Sequence, residues 1–352
     1  MTKTRNIYIP LFIIILLFGI YFVYINFTDY KPDKISILPI YNNQVKNIPF
    51  NETLKLTTFN VGFAGLDANQ DSYEDGGKSS RAENKEKVLE NLDGIVDIID
   101  NINPDFFLIQ ELDIDSRRSF YIDQLSYLND KYPNYGYTYG DNNKIVYLPK
   151  PLLRPTGKVE SGMASFSKFF VSSARRFSLP GQQDGFHKYF DYDRAFIEKR
   201  FELENGEELI LINLHLSDFN ETGLQRFEEL KYINEYLEEE YNKGSYIIVG
   251  GDWNHNLPET DPYIFNSKEN WPSWLKNLPE EFEFEGFRWA IDIYTPTVRS
   301  LKTSFEYGDN FMTITDGFLV SDNLEIISVE TLDYGFNTSY HNPVVLEFIL
   351  SN

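Results

Sequence analysis

The sequence predicts an α+β fold in which two β-sheets pack face to face and helices lie outside them. Segments with strand-like patterns outnumber the segments whose apolar residues recur at helical spacing. No internal repeat and no low-complexity tract interrupts this pattern. The 352 residues, 42% hydrophobic and 16% aromatic, contain enough apolar side chains for a large core.

The predicted strands are apolar runs, several of which finish in polar residues. In chain order they lie near 54–63, 105–112, 135–148, 162–170, 194–203, 208–216, 246–251, 313–320, 325–331 and 343–350. Residues 64–80 are rich in Gly, Asp and Ser, which predicts a loop.

Two long helices and a shorter one, around 119–131, are predicted. Ser80 followed by Glu83 indicates a capping box for the first long helix, and Asn103-Pro104 ends it. Its apolar positions are Val88, Leu89, Leu92, Ile95, Val96, Ile99 and Ile102. The second covers 223–241 and carries on one face Leu224, Phe227, Leu230, Ile233 and Leu237.

The N-terminus has the composition of a membrane anchor. Residues 7–27 contain no ionisable acid or base and are long enough to cross a bilayer. Lys3 and Arg5 precede them, so the positive-inside rule predicts a cytoplasmic N-terminus and an extracytoplasmic remainder. A cleaved signal peptide is the alternative, but it usually has a shorter apolar core followed by small residues. We therefore expect a single-pass protein of the cell membrane.

Three parts of the chain follow from this interpretation. Residues 1–27 form the cytoplasmic tip and transmembrane anchor, and residues 53–352 form the catalytic domain. Residues 28–52, with prolines at positions 32, 39 and 49, are expected to be a stalk, with a wrapping arm as the alternative.

Charge and cysteine content exclude several functions. The chain has no cysteine, which excludes disulfides, thiolate metal sites and a cysteine nucleophile. Its net charge of -22 repels polyanions and disfavours a protein that binds nucleic acid through many lysines. A local basic or metal-bearing site can still reverse the sign of the field where it matters.

Polar residues at the ends of strands are the candidate functional residues. Strand ends that lie side by side converge on one rim, so these side chains are expected to share a pocket. They are Asn60, Gln110, Glu111, Asn213, His215, Asp252, Asn254 and His255, together with Asp316 and His341 beside the last strands. Three of the four histidines are among them. Carboxylates and amides suit Mg²⁺, and imidazoles beside the metal can transfer protons or stabilise phosphoryl charge.

The motifs resemble those of the endonuclease/exonuclease/phosphatase superfamily, which has the fold of deoxyribonuclease I. The resemblance covers roughly residues 54–350. In order, the matching segments are TFNVGF, LIQELD, NLHLSD, GGDWNH, ITDGFLVS and SYHNPV. It implies a four-layer sandwich with two mainly antiparallel sheets. It also implies a phosphoesterase that needs Mg²⁺ or Mn²⁺. Since deoxyribonuclease I is itself commonly acidic, the charge argument against nucleic acid loses some force.

The resemblance also assigns roles to individual residues. Glu111 would hold the metal with Asn60 nearby, and Asp252, aligned by Asn254, would activate water. His215 and His341 would stabilise phosphoryl charge or protonate the leaving oxygen, and Asp316 would orient His341. His255 lies outside the motif core and is expected to be structural.

Tyr340 departs from the superfamily pattern, which usually has Asp immediately before the final histidine. A tyrosine hydroxyl is neutral near pH 7 and a poor ligand for Mg²⁺. Either Glu111 and its neighbours suffice for activity, or the chain is an attenuated member that binds without turnover.

The substrate stays open, because one fold hosts many activities. A nuclease is the first expectation, and a sphingomyelinase- or inositol-phosphatase-like enzyme is the alternative. A nuclease predicts a basic groove, with candidates Lys78, Arg81, Arg117, Arg118, Arg175, Arg176 and Arg194. Lys78, Arg81 and Arg194 are the candidate phosphate contacts. Trp271 and Trp274 are expected in the core, with a lipid- or sugar-facing position as the alternative. A monomer is expected.

Overall fold

The structure, a computed structural model, describes residues 2–181, 185, 187–217, 224–279, 282 and 284–351, without the side chains of residues 2–8, 187 and 224. Its helices are α1 (Thr2–Thr28), α2 (Lys85–Ile102), α3 (Gln124–Lys131) and α4 (Leu224–Tyr241). Its strands are β1 (Ile35–Ile37), β2 (Thr53–Asn60), β3 (Phe106–Asp113), β4 (Gly136–Leu148), β5 (Gly157–Ser167), β6 (Ser173–Ser178), β7 (Ala195–Glu202), β8 (Glu208–His215), β9 (Tyr246–Asp252), β10 (Phe287–Ala290), β11 (Val298–Arg299), β12 (Met312–Thr313), β13 (Asp316–Ser321), β14 (Glu325–Thr331) and β15 (Val344–Ile349).

Two large sheets organise the domain. The first has the strand order β1-β6-β7-β8-β9-β13-β10, and the second has the order β14-β15-β2-β3-β5-β4. Within the first sheet β8 and β9 are parallel, and within the second β2 and β3 are parallel. The other neighbours in both sheets are antiparallel. The predicted pair of mainly antiparallel sheets is therefore confirmed.

Three apolar clusters separate four layers. Leu108 and Phe318, from opposite sheets, belong to the cluster between the sheets. Leu230 and Ile233 of α4 pack on the outer face of the first sheet. Leu92 of α2 belongs to the cluster that covers the outer face of the second sheet, together with residues of α3. Burying apolar area of this kind is the main favourable term in folding. The predicted α+β sandwich with outer helices is confirmed.

Helix α2 has its predicted end but a different start. Asn103 adopts the left-handed conformation at its C-cap, which asparagine tolerates, and Pro104 cannot continue the helix. The N-cap is Asn84, whose side chain accepts a hydrogen bond from the backbone N–H of Lys87 at 2.7 Å. The predicted capping box of Ser80 and Glu83 is therefore wrong, because an amide one residue after Glu83 takes the capping position.

Several element boundaries also differ from the predicted ones. Helix α3 begins at Gln124 rather than near 119, because Asp123 caps it. The predicted short strands near 135–148 are the single strand β4, and the segment near 313–320 divides into β12 and β13. In α4, Phe227 is exposed, whereas Leu230, Ile233 and Leu237 are buried. Residue 223 and the side chain of Leu224 lie outside the described residues.

The segment 28–52 packs along the domain, so its interpretation as a stalk needs correction. Strand β1 adds an edge strand to the first sheet by pairing with β6. Tyr41 pairs with Tyr137, and Asn43 exchanges hydrogen bonds with the backbone of Val171. Ile48 is 3% exposed. The segment is therefore the wrapping arm, because its backbone and apolar side chains find partners on the domain surface.

Helix α1 has the length and composition of a membrane span. The span Ile9–Thr28 is strongly apolar, with a mean hydropathy of 2.4, and mostly exposed on the protein. Length and composition alone support this interpretation, since a signal sequence near the N-terminus has the same features.

Gly251 allows the close approach of β8 and β9. Its φ is 151°, and a Cβ atom there would lie 2.0 Å from the carbonyl oxygen of Leu214. We expect Gly251→Ala to lower the free energy of unfolding by about 3 kcal/mol or more. Gly76→Ala is the control, because φ is 91° there but no atom lies within 4 Å of the new Cβ. We expect it to lower the free energy of unfolding by about 1 kcal/mol. Denaturant titration of the two variants would contradict this account if their losses were equal.

Candidate active site

The two parallel strand pairs bring four of the predicted residues to one edge of the sandwich. Asn60 ends β2, and Glu111 lies near the end of its parallel neighbour β3. His215 ends β8 and faces Asp252, which ends β9, in the parallel register. Since parallel strands finish at the same edge, each sheet contributes one adjacent pair. The predicted convergence of strand ends is what the structure shows.

Two further residues reach this edge from antiparallel neighbours. Strand β13 begins at Asp316, directly opposite Asp252 of β9. His341 precedes β15 and forms an isolated bridge with Val298. An antiparallel strand must start where its neighbour ends. Asp316 therefore meets the end of β9, and His341, just before β15, lies at the end of β2.

An irregularity in β3 turns Glu111 towards the pocket. The pairing of β3 with β5 shifts register between Ile109 and Leu112, and Glu111 has a φ of 54°. Gln110, the preceding residue, points between the sheets and donates to Oδ1 of Asn213 at 2.7 Å. Such bulges re-aim a side chain at the edge of a sheet. Non-glycine residues rarely adopt positive φ, so packing holds this strained conformation at the site.

The side-chain amide of Asn60 joins the two sheets at this edge. Its Nδ2 donates to Oε1 of Glu111 and to Oδ2 of Asp252, each at 3.1 Å. Its Oδ1 accepts from the backbone N–H of Gly62 at 3.0 Å, which sets the orientation of the amide. Asn60 is fully buried. It therefore positions two carboxylates, while its oxygen faces the backbone.

Asp252 is a buried carboxylate with a raised pKa. Burial and the nearby charge of Asp316 raise the pKa of Asp252 to about 7. Its Oδ1 accepts from the backbone N–H of Asn254 at 2.9 Å, and Nε2 of His215 lies 3.6 Å from its Oδ2. Nε2 of His341 lies 3.7 Å from the same oxygen. A pKa near neutrality suits a group that accepts a proton from water.

His341 and Asp316 form a buried dyad. Nδ1 of His341 lies 2.7 Å from Oδ2 of Asp316. Burial lowers the pKa of His341, but Asp316 and Asp252 outweigh it, and the net pKa is raised. Nε2 of His341 has no hydrogen-bond partner within the described part of the chain. The predicted orienting contact from Asp316 is present, and it leaves Nε2 available for a proton transfer.

His215 has the opposite electrostatic environment. Burial, with the charges of Arg194 and His341, holds the pKa of His215 well below its ordinary value. This imidazole is therefore neutral at pH 7, while His341 favours the charged form. Two histidines at one site thus have different protonation states because their neighbours differ.

The residues after Asp252 have separate roles. Asn254 has a φ of 50° and donates from Nδ2 to the carbonyl oxygen of Leu216 at 2.8 Å. It lines the pocket. His255 places Nδ1 2.6 Å from the carbonyl oxygen of Trp253 and lies outside the pocket lining. This agrees with the expectation that His255 is structural.

Tyr340 occupies the position where the superfamily pattern has Asp. Its hydroxyl donates to Oε1 of Glu111 at 2.6 Å. Burial and the charge of Glu111 raise the pKa of Tyr340 well above its ordinary value, so the phenol stays protonated at neutral pH. Tyr340 is therefore a hydrogen-bond donor to the candidate metal ligand.

These side chains surround a cavity of about 370 Å³. Glu111, Asn254, His215, Tyr340 and His341 line it, and so do apolar and aromatic residues. The latter are Phe63, Leu66, Tyr192, Trp274, Val298 and Leu301. Its size suits a small ligand or part of a larger one. Asp252, Asp316 and Asn60 lie directly behind this lining, in hydrogen bonds with it.

The three predicted phosphate contacts separate into two groups. Arg194 lines the cavity, is buried, and stacks its guanidinium 3.9 Å above the ring of Tyr192. Lys78 is exposed on the loop before α2 and is not among the cavity residues. Arg81 lines a separate surface depression with Arg154. The structure therefore brings only Arg194 of the three to the site.

Two further cavity residues, Tyr192 and Phe63, were not singled out from the sequence. Tyr192 stacks on Arg194, and Phe63 lies 4.1 Å beneath the guanidinium of Arg118. The expected core position of the two tryptophans is wrong: both are half-buried, Trp274 lines the cavity, and Trp271 packs beside Phe311. The sequence indicated Arg194 but not Tyr192, because no local pattern distinguishes a cavity tyrosine from a core tyrosine.

The donor set fits a hard divalent cation. Glu111 presents a carboxylate to the cavity, and its Oε2 forms no hydrogen bond among the residues described. One or two carboxylates completed by water and substrate oxygens are the usual surroundings of Mg²⁺. Asp252, Asp316 and His341 are also close enough to share a cation. However, Oδ2 of Asp316 and Nδ1 of His341 are already joined by a hydrogen bond.

Comparisons with known proteins agree with this fold. A structure described as endonuclease/exonuclease/phosphatase from Beutenbergia cavernae has a TM-score of 0.57 at 12% identity, covering 86% of this chain and 72% of that chain. The human Nocturnin catalytic domain with bound sulfate has a TM-score of 0.52 at 14% identity, covering 89% of this chain and 97% of that chain. D. rerio TDP2 complexed with single strand DNA product has a TM-score of 0.53 at 15% identity, covering 85% of this chain and 99% of that chain.

At such low identities these likenesses show the fold alone. No curated protein matches the sequence. The sequence itself matches the Endonuclease/Exonuclease/phosphatase family over residues 57–341, which is most of the chain and includes the segments from β2 to His341. The chain therefore belongs to the Endonuclease/Exonuclease/phosphatase family.

Proposed function

We propose that this protein is a metal-dependent phosphodiesterase anchored in the membrane, with its catalytic domain outside the cytoplasm. The observation that carries the proposal is the buried group formed by Asp252, His341 and Asp316 beside the cavity carboxylate Glu111. It combines a proton acceptor, a charged imidazole and a candidate metal ligand around one cavity. Family membership supports the hydrolysis of phosphoester bonds.

Glu111 would hold the metal ion, for which Mg²⁺ or Mn²⁺ fits the oxygen donor. When bound, such an ion supplies Lewis-acid stabilisation of charge on phosphoryl oxygens. Asn60 holds the carboxylate of Glu111 in place from one side and Tyr340 from the other. The two hydrogen bonds fix Oε1 and leave Oε2 for the ion.

Asp252 would take the proton from the attacking water. The backbone N–H of Asn254 and the amide of Asn60 orient its two oxygens. Charged His341 would donate from Nε2 to a phosphoryl or leaving oxygen, and Asp316 stabilises that charge. Neutral His215 would contribute a hydrogen bond beside the same oxygen of Asp252.

The cavity favours a compact phosphodiester over a long nucleic acid. A nuclease needs a basic groove that follows a phosphate backbone. Of the seven candidate cations, Arg118 and Arg194 line the cavity, and Arg118 is committed to Asp113 through a bidentate contact. Arg175 is paired with Glu198, and Arg176 donates to backbone carbonyls. Arg299 also lines the cavity but donates to backbone carbonyls, among them that of Asp67. Aromatic walls with few cations available to a phosphate suit a lipid headgroup or a small diester better.

The proposal is tested with the full chain purified in detergent. Activity with Mg²⁺ or Mn²⁺ would be measured on plasmid DNA, RNA, sphingomyelin and bis-p-nitrophenyl phosphate. We expect turnover of at least one compact diester, lost on addition of EDTA. Asp252→Ala should lower kcat by about 10²–10⁴, the usual contribution of a general base. Unchanged rates in Asp252→Ala would show that the assigned site is wrong.

Asp316→Asn is expected to lower the pKa of His341, since Asp316 contributes the most among the carboxylates that raise this pKa. If His341 donates a proton, the alkaline limb of the pH–rate profile moves to lower pH and kcat falls about 10²-fold. The profile should be recorded with whichever unactivated diester is cleaved, because a nitrophenolate leaves without a proton.

An NMR titration of the imidazole resonances measures the pKa of His341 independently of turnover. Asp322→Asn is the matched control, since Asp322 follows the other end of β13 and contacts Tyr241 instead. A pKa of His341 that is unchanged in Asp316→Asn would contradict the dyad.

Arg194→Ala is expected to lower kcat/KM about 10- to 100-fold, as for loss of a charge-assisted hydrogen bond worth about 1.5–3 kcal/mol. Lys78→Ala is the control, because Lys78 lies outside the cavity lining, and it should leave kcat/KM unchanged on bis-p-nitrophenyl phosphate. Equal effects of the two substitutions would mean that Arg194 does not contact the phosphate.

Binding without turnover is the second candidate function, and Tyr340 is the observation that favours it. Its hydroxyl donates a hydrogen bond to one of the two carboxylate oxygens of Glu111. Under the main proposal, Tyr340→Asp changes kcat by less than about tenfold, because Glu111 still holds the ion. A much larger gain would identify the chain as an attenuated member. Calorimetric titration of Mg²⁺ into Tyr340→Asp and Tyr340→Phe would show separately whether the phenol limits metal affinity.

A further inference from the structure

The loop between β4 and β5, residues 149–156, exposes two leucines completely. We call it the hairpin loop. Leu152 is 89% exposed and Leu153 is 101% exposed. The loop closes a long hairpin, since Leu148 of β4 pairs with Gly157 of β5. Adjacent exposed leucines at the tip of an ordered hairpin contribute nothing to the packing of the domain, so they require a partner to become buried.

Positive charge surrounds these leucines. The hairpin loop contains Lys150 and Arg154, both exposed, and no acidic residue, in a chain whose net charge is -22. Arg117 packs along Gly157 at the base of the loop. Burial lowers the pKa of Arg81, and so do Arg117 and Arg154, which shows that these arginines lie close together.

Acidic side chains also occur near the hairpin loop. Asp71 and Glu83 line the depression that contains Arg81 and Arg154. Among the residues described, however, Lys150 and Arg154 form no ion pair, and the tip itself has only cations beside its apolar side chains. Apolar side chains flanked by Lys and Arg are the pattern of a segment that enters the interface of an anionic bilayer.

The outer part of the N-terminal helix contacts the base of this hairpin. Tyr21 lies about 11 Å along the axis from Thr28, the domain-side end of the span Ile9–Thr28, at 1.5 Å per residue. The contact is therefore in the half of the span that is nearer to the domain. The hydroxyl of Tyr21 donates to the carbonyl oxygen of Tyr147 at 2.9 Å. Tyr147 is the penultimate residue of β4, two residues before the hairpin loop begins.

A second contact joins the same part of α1 to the cavity wall. The ring of Phe22 meets the ring of Tyr189 edge-on, with centroids 6.0 Å apart, and Asn26 bonds the hydroxyl of Tyr189. Tyr189 lies a few residues before Tyr192 and Arg194, which line the cavity. The helix therefore leaves the membrane beside the cavity.

The hairpin loop and the cavity lie at the same edge of the sandwich. In the antiparallel pairing of β5 with β3, Ser161 near the start of β5 faces Asp113 at the end of β3. The start of β5 is thus at the edge where Glu111 lies. The turn between β7 and β8 is at the opposite edge, because β8 ends at His215.

We propose that the hairpin loop inserts Leu152 and Leu153 into the outer surface of the membrane that α1 spans. Its cations would contact anionic headgroups, and the open side of the cavity would be held against the bilayer. The proposal rests on the membrane anchoring proposed above and adds a second attachment point. Such an arrangement presents the cavity to phosphodiesters of the bilayer surface.

The absence of cysteine allows a single-site test in the full chain. Leu153→Cys would be labelled with an NBD fluorophore and the protein reconstituted in nanodiscs that contain phosphatidylcholine with or without phosphatidylserine. The matched control is Glu204→Cys, at the exposed turn between β7 and β8. We expect a blue-shifted emission at position 153, quenching by lipids with shallow nitroxides, and iodide quenching about threefold weaker than at position 204.

Charge reversal supplies the second variant. Lys150→Glu with Arg154→Glu, in the labelled Leu153→Cys chain, should weaken quenching by the nitroxide lipids, most strongly in discs that contain phosphatidylserine. Equal iodide and nitroxide quenching at positions 153 and 204 would overturn the proposal.

Three readouts separate the possible failures. Elution of the protein apart from the discs would refute anchoring and the docking loop together. Hydrolysis of bis-p-nitrophenyl phosphate by the same samples tests the proposed chemistry alone, since that substrate is soluble. A chain that remains in the discs and hydrolyses the soluble diester, but whose label at position 153 stays in water, would refute only the docking loop.

Discussion

One buried amide, that of Asn60, holds the candidate site together. Its two N–H groups go to Glu111 in its own sheet and to Asp252 in the other sheet. Two carboxylates buried this close would repel each other, and an unpaired buried charge costs several kcal/mol. The amide compensates both and fixes their separation. Glu111 and Asp252 therefore keep a defined geometry only because the two sheets pack in one register.

The same packing decides the protonation of the site. Burial and the charge of Asp316, which sits opposite, raise the pKa of Asp252, and both acids favour a proton on His341. Burial and the charge of Arg194 hold the pKa of His215 low, so that this imidazole stays neutral. The positions of the strand ends thus give Asp252 a pKa near neutrality. They also favour the charged form of His341 and the neutral form of His215.

Membership of the family restricts the chemistry, and the surroundings of the cavity restrict the substrate. Tyr340 stands where the superfamily pattern usually has Asp, and its phenol remains protonated, so Glu111 has a hydrogen-bond donor beside it at this position. The arginines proposed for a groove are largely engaged in structural contacts. Helix α1 and the hairpin loop lie on the cavity side of the domain. These features together favour a compact substrate at a membrane surface.

Much of this could be read from the sequence, because it depends on local patterns. Periodicity located the strands and α2, Asn103 marked the end of that helix, and polar residues after apolar runs identified the site from Asn60 to His341. The cap of α2, the packing of residues 28–52 and the position of Tyr192 could not be predicted. Each depends on contacts between segments far apart in sequence. The sequence by itself determined which residues are candidates for chemical roles. The tertiary structure alone decided which of them meet, since side chains hundreds of residues apart become neighbours only when the sheets pack.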